Sequence, residues 1–448
     1  MQRRNFLKVS ALGLAGAAIS SPSLLASPAA ATSSKKKTAA SDKIRMGFIG
    51  LGQQANYLLS SFIRMEDVQV IAGCDVYDIK RDRFYNDVND FYSKQGKKKC
   101  APTMYEDYED LLANPDIDAV VIATPDHWHA AIAIAACKAG KDIYLEKPMT
   151  LTVYEGQQLV KAVRKYNRIL QLGSQQRSSS EFLHTATLCR EGELGKISKI
   201  EVSLPKWEGQ PFPVKCNRPK EAVPAGLNWE KWLGPLTEND YVYYYPDIDP
   251  LLNADGREEC WGAWRWYKQT GGGYMTDWGA HMFDIAQWCV GKDLTAPVDI
   301  IPPGYSFYKN LTYRYDNGVI MEVADFDEFG SGVKVYGEEG WVAVHRDKFY
   351  ASDPKFNPQT QNDSEVPYEA RAGHHRVFIE SVKSRIDPNV PVEVGHSSCT
   401  VCNIGIIAGE LGRPLVWNPI VQKFMHDDEA NALKHYSYRD GYKNLLDI

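Results

Sequence analysis

The chain has 448 residues, 44% of them hydrophobic and 24% charged, with a formal net charge of -6. That length exceeds what one core of about 250–300 residues supports, so two domains are expected. Acids and bases are interspersed, which excludes a nucleic-acid face built on a basic patch; the one compact basic run, 35–37, lies in a Ser/Thr/Ala-rich tether.

Residues 1–31 read as a signal peptide. Arg3, Arg4 and Lys8 lead into a short apolar run, 9–19, and small residues ending in Ala29-Ala30-Ala31. The run is shorter than the roughly 20 residues that span a bilayer, so the mature chain should start near Thr32 without a membrane span. The arginine pair followed by Asn5-Phe6-Leu7-Lys8 resembles a twin-arginine signal, which predicts export, already folded, to the periplasm. Residues 32–42 are the linker. Among nine cysteines, Cys74 and Cys137 fall in apolar runs and read as core. Cys399 and Cys402 lie on a helical pattern with no His/Cys set that completes a metal site.

From residue 43 strands and helices alternate. Strands are expected at 44–49, 68–74, 119–123 and 142–145, and helices at 55–64 and 129–139, the second closed by Gly140. This pattern predicts a parallel sheet covered on both faces, over 43–175. Beyond it, strands at 197–204, 311–315, 319–324, 333–336 and 341–345 predict a second, mostly antiparallel open sheet in an α/β domain over 176–448. The last helical segment of that domain is expected to pack back on the first domain.

Gly50-Leu51-Gly52-Gln53-Gln54-Ala55 joins the first strand to the first helix and matches G-x-G-x-x-G/A. The first glycine allows the tight turn, the second the approach of a pyrophosphate, and the small third residue close helix packing. Asp75 ends the second strand 23 residues after Gly52, where a carboxylate accepts from ribose hydroxyls and repels a 2′-phosphate. NAD is therefore favoured over NADP, although Arg81 and Arg83 stand near enough in sequence to keep NADP open. Thr124-Pro125-Asp126-His127 and Glu146-Lys147-Pro148 follow later strands, at the edge where such sheets bind ligands. Thr124, Pro125, His127, Glu146 and Lys147 are thus cofactor contacts. His127 and His129, two apart with no further ligand, do not make a metal site.

These segments, with VIATPDHWHA, LEKPMT, GGGYMTDWGAHMFDIAQW and LGRPLVWNP, resemble the Gfo/Idh/MocA family over nearly the whole mature chain. The resemblance implies a Rossmann domain, a second domain with a large open sheet, and an active site between them. It implies that Lys147 touches substrate and nicotinamide ribose and moves a proton, and that Asp277 and His281 are the catalytic pair. Their four-residue spacing puts both on one face of a helix, and histidine suits the base that takes a hydroxyl proton. Asp284 is a second carboxylate on that face. Trp261, Trp264, Trp266 and Tyr267 cluster upstream with Arg265; aromatic rings pack on sugar C–H faces and the guanidinium binds hydroxyls, and the same rings suit a domain core. Tyrosines in 241–245 fit a substrate rim or a surface loop. The open sheet offers a face for a homo-oligomer.

An exported enzyme finds no ready pool of nicotinamide cofactor, so a tightly retained NAD and a cycle that returns the hydride are expected. The resemblance implies an oxidoreductase acting on a sugar, glycoside or polyol. A second reading is a glycoside hydrolase that works through a transient 3-keto intermediate, and a third is a non-catalytic sugar-binding protein.

Overall fold

The computed structural model describes residues 42–96, 101–206, 209–245, 262–326, 330–358 and 373–448. Residues 1–31, expected to be a signal peptide, nearly all of the expected linker 32–42 and Trp261 lie outside the described residues. Residues Ala40–Ile448 form one compact unit.

Apolar runs build the first sheet: β1 (Ile44–Ile49), β2 (Val68–Cys74), β3 (Thr103–Tyr105), β4 (Ala119–Ile122), β5 (Asp142–Leu145) and β6 (Leu170–Leu172). Every residue of β4 and β5 is buried, as expected of parallel strands with both faces covered. The strands are parallel in the order β3-β2-β1-β4-β5-β6, so the side on which the chain adds strands switches between β1 and β4. The covering helices are α1 (Gln53–Phe62), α2 (Asp78–Lys94), α3 (Tyr108–Ala113), α4 (Asp126–Lys138) and α5 (Val153–Lys165). α4 begins three residues before the helix expected at 129–139, because Pro125 sets an extended cap and Asp126 occupies the favoured acidic first turn.

Among the described residues the second sheet has nine strands. β7 (Lys199–Ser203), β9 (Thr312–Arg314), β10 (Ile320–Val323), β11 (Gly332–Gly337) and β12 (Gly340–His345) match the expected runs; β8 (Asp299–Ile301), β13 (Lys348–Ala351), β14 (Leu415–Asn418) and β15 (Lys423–Phe424) are short additions. Their order is β13-β12-β11-β7-β10-β9-β8-β14-β15, antiparallel except where β7 meets β10. Helices α6 (Ser180–Glu191), α7 (Trp229–Leu233), α8 (Tyr274–Asp277), α9 (Gly279–Cys289), α10 (His374–Ser384), α11 (Val392–Leu411) and α12 (Asp428–Ala432) follow in the chain, and α10 packs on the first sheet, where Phe378 and Ile379 join the core of Phe48, Phe62 and Tyr144. α11 packs on α5 of the first domain, and the Tyr438 hydroxyl donates to Glu155 Oε1 at 2.6 Å. No described helix is long and apolar enough to cross a membrane.

Candidate active site

A cleft of about 310 Å³ opens beside the switch between β1 and β4, where open α/β sheets bind ligands. Gly50 has φ +80°, and a Cβ on it would lie 2.7 Å from the Thr124 backbone nitrogen. Only glycine lets the β1–α1 turn pass this close to the β4–α4 turn. Gly52 caps α1 without a side-chain acceptor, which leaves first-turn N–H groups available to an anion. Asp75 accepts from the amides of Leu51 at 2.7 Å and Tyr77 at 2.9 Å, so its carboxylate is held rigid at the cleft wall. Arg81 donates to the Asp75 carbonyl at 2.6 Å and Arg83 to the Leu51 carbonyl. Gln53, Gln54, Thr124 and Pro125 also line the cleft, while Ala55 is buried behind it. The glycine cradle, the open helix N-terminus and the fixed carboxylate fit a nicotinamide dinucleotide. Sequence reasoning missed that Tyr442 and Leu445, from the C-terminal tail, close part of the same wall.

A narrower cavity of about 30 Å³ adjoins the cleft and shares Gln54, Ala123, Thr124, Trp264 and Arg265 with it. Asp126, His129, Glu146, Lys147, Thr276 and Asp277 complete its wall. Lys147 Nζ donates to Asp277 twice, at 2.8 Å to Oδ1 and at 2.6 Å to the backbone carbonyl. The second contact has a local cause. The D-x-x-x-H segment is not one regular helix: α8 stops at Asp277, Trp278 intervenes, and the His281 amide bonds to the Trp278 carbonyl at 3.0 Å. The Asp277 carbonyl, which a regular helix would pair with the His281 amide, thereby accepts from Lys147.

Charge governs this cavity. Burial pushes Asp277 up, but Lys147 and Arg265, whose Nε lies 3.6 Å from Oδ1, hold its carboxyl below the usual range. Asp126 is equally buried, and burial drives it up to about 8 against the pull of Arg265 and Lys147. Glu146 accepts from Gln54 at 2.9 Å and Gln175 at 3.0 Å, and burial raises it too. His129 sits between the carbonyls of Pro148, 2.7 Å from Nδ1, and Thr124, 2.9 Å from Nε2; burial keeps the ring neutral, so its single N–H donates to one of them. Thr276 carried no independent signal in the sequence; Asp126 stood in the turn placed at the ligand edge without being singled out itself, and His129 was weighed there as half of a rejected metal pair.

Other expected residues sit elsewhere. His281 is buried and lines neither cavity; burial, then Lys147, Arg346 and His374, push its pKa well down, so the ring is neutral. His127, expected at the cofactor, lines neither cavity: its Nε2 sits 3.0 Å from the Trp232 carbonyl and its ring packs on Trp232. Of the aromatic cluster, Trp264 lines both cavities with Arg265 stacked over it at 4.3 Å. Trp266 packs on Tyr274, and the Tyr267 hydroxyl accepts from Arg218 at 2.6 Å; both are core, as are Tyr241 and Tyr243. Asp284 forms a buried pair with Arg177, at 2.7 and 2.8 Å.

Fold and site together define a two-domain nucleotide-binding protein whose lysine–aspartate pair stands beside the dinucleotide cleft. The chain belongs to the Gfo/Idh/MocA oxidoreductase family: its NAD-binding Rossmann fold matches residues 44–174 and its C-terminal alpha/beta domain residues 188–444. A glycosyl hydrolase family 109 protein of Shewanella baltica is 32% identical over 208 residues, 44% of this chain and 44% of its own length. The match thus spans less than half of that relative. Among solved structures, an aldose-aldose oxidoreductase from Caulobacter crescentus, complexed with glycerol, is 19% identical with a TM-score of 0.55, covering 84% of this chain and 99% of its own. The WlbA dehydrogenase of Chromobacterium violaceum, in complex with NADH and UDP-GlcNAcA, is 17% identical with a TM-score of 0.56, covering 84% and 96%. At these identities the two structures speak for the fold.

Proposed function

We propose that this protein is an NAD(H)-dependent oxidoreductase acting on a CH–OH group of a sugar, glycoside or polyol, exported by the twin-arginine route with its cofactor tightly retained. The observation that carries the reading is the Lys147–Asp277 pair walling a narrow cavity that adjoins the dinucleotide cleft. When bound, the nicotinamide supplies the hydride acceptor and donor. Lys147 takes the hydroxyl proton as it passes one of its own to the Asp277 carboxylate, to which it donates at 2.8 Å, and the transfer runs backwards in the reverse direction. Arg265 and Trp264 orient the substrate through hydroxyl contacts and an apolar face. Asp75 favours NAD over NADP, since a fixed carboxylate opposes a 2′-phosphate while Arg81 and Arg83 are engaged with backbone carbonyls.

The similarity to glycosyl hydrolase family 109 proteins favours a second reading: oxidation at C3, elimination of the aglycone, addition of water, and return of the hydride. A panel of free sugars and aryl glycosides separates the two. A keto-sugar or lactone supports the oxidoreductase; a released aglycone without net redox change supports the hydrolase. If no substrate of the panel is turned over while the protein still binds sugar, the non-catalytic sugar-binding reading takes their place.

A further inference from the structure

The buried side-chain amide of Gln176 lies between His281 and Arg346. One of its ends is 2.7 Å from both Nε and Nη2 of Arg346, and the other is 2.7 Å from His281 Nδ1. A guanidinium has only N–H groups to offer, so the amide end facing Arg346 is the oxygen. The end facing His281 is then the NH2 group, which only donates. His281 Nδ1 must therefore present its lone pair, and a neutral imidazole in that state carries its proton on Nε2. Arg346 is itself held in place, stacked 4.7 Å over Trp278, whose ring stacks on His345.

We propose that Gln176, oriented by Arg346, is a positioning residue that locks His281 as the Nε2–H tautomer, so that the ring's remaining nitrogen offers a proton rather than a lone pair. The assignment corrects the sequence expectation that His281 is the base. It rests on the proposed hydride chemistry only for its consequence: with its proton on Nε2, that nitrogen of His281 does not take the hydroxyl proton, which goes to Lys147. Wrong-tautomer histidines in other enzymes lose about four orders of magnitude in rate while keeping their geometry, which shows how much such a lock controls.

The test reads the tautomer directly. In the full chain labelled with 15N-histidine, the His281 ring signals are identified as those lost in His281→Gln. The expected result is a protonated-type shift at Nε2 and an unprotonated-type shift at Nδ1. Gln176→Glu keeps the size and the Arg346 contact but offers Nδ1 an acceptor; it should move the proton to Nδ1 and lower turnover at least about 100-fold with cofactor content unchanged. Arg346→Met frees the amide to rotate and should give a mixture of tautomers, which keeps the test open if Gln176→Glu fails to fold. A proton on Nδ1 in the unaltered protein, or ring shifts unmoved by both substitutions, overturns the proposal. Because the shifts are read without substrate, this failure is distinct from failure of the proposed reaction.

Discussion

Two buried ion pairs occupy neighbouring stretches of one segment, and their surroundings differ. Arg177 and Asp284 meet through two hydrogen bonds; Arg177 also donates to Asp293 at 2.6 Å and stacks over Trp288, and Ser398 donates to Asp284 at 2.7 Å. That pair is enclosed and its hydrogen-bonding groups are engaged by protein. Lys147 and Asp277 instead wall a cavity, with Arg265, Asp126 and His129 beside them. Lys147 follows β5 and Arg177 lies just past β6, and each pairs with a carboxylate of the α8–α9 segment. The enclosed pair serves as a structural clamp, and the pair facing a cavity has capacity left for a ligand's hydroxyl and its proton.

The sharpest way to break this contrast is to remove one partner of each. Lys147→Ala should lower turnover by about 10³-fold or more, the range of a lost acid–base group, while bound cofactor and melting temperature change little; single-turnover rates and thermal melts check both halves. Arg177→Ala should cost about 3–5 kcal/mol of stability by leaving Asp284 buried without its partner, read from denaturant unfolding, and replacing both partners by apolar residues should recover much of that loss. If Lys147→Ala unfolds the protein and Arg177→Ala only slows it, the two roles have been assigned the wrong way round.

The third prediction concerns pH. Burial raises Asp126 from its ordinary 3.8 to about 8, so between those values the folded chain holds a proton that the unfolded chain has released. Folding is then favoured on the acid side, and this contribution is lost as pH rises toward about 8. Unfolding free energies at pH 5 and pH 8 should show the unaltered protein losing stability relative to Asp126→Asn; equal slopes would deny the shift. The smallest effect is at Asp75. Asp75→Asn should weaken NAD binding by about tenfold, the scale of one charge-assisted hydrogen bond, and narrow the preference over NADP, both measurable by calorimetry.

The first domain was largely legible because its signals are local. β2 and β5 coincide with their apolar runs, and Gly50, Gly52 and Asp75 meet at one cleft because the motif's spacing is itself the geometry of a strand–turn–helix. The short strands β8, β14 and β15 escaped notice because two to four residues are too few to show alternation. The break at Trp278 was not legible either: tertiary capture of the Asp277 carbonyl by Lys147 accompanies the interruption of a good helical pattern. Gln176 and Arg346 lie 170 residues apart, and no spacing rule joins them. Trp264 and Trp266 show the limit of composition, since one ring lines the cavities and the other is core.

The central claim is that a retained dinucleotide serves the Lys147–Asp277 pair. Its most direct test is to purify the chain from Thr32 onward without added cofactor, denature it, and measure the NAD(H) and NADP(H) released. The account predicts NAD(H) close to one per chain. A protein that releases neither, and that binds neither when they are added, would contradict it.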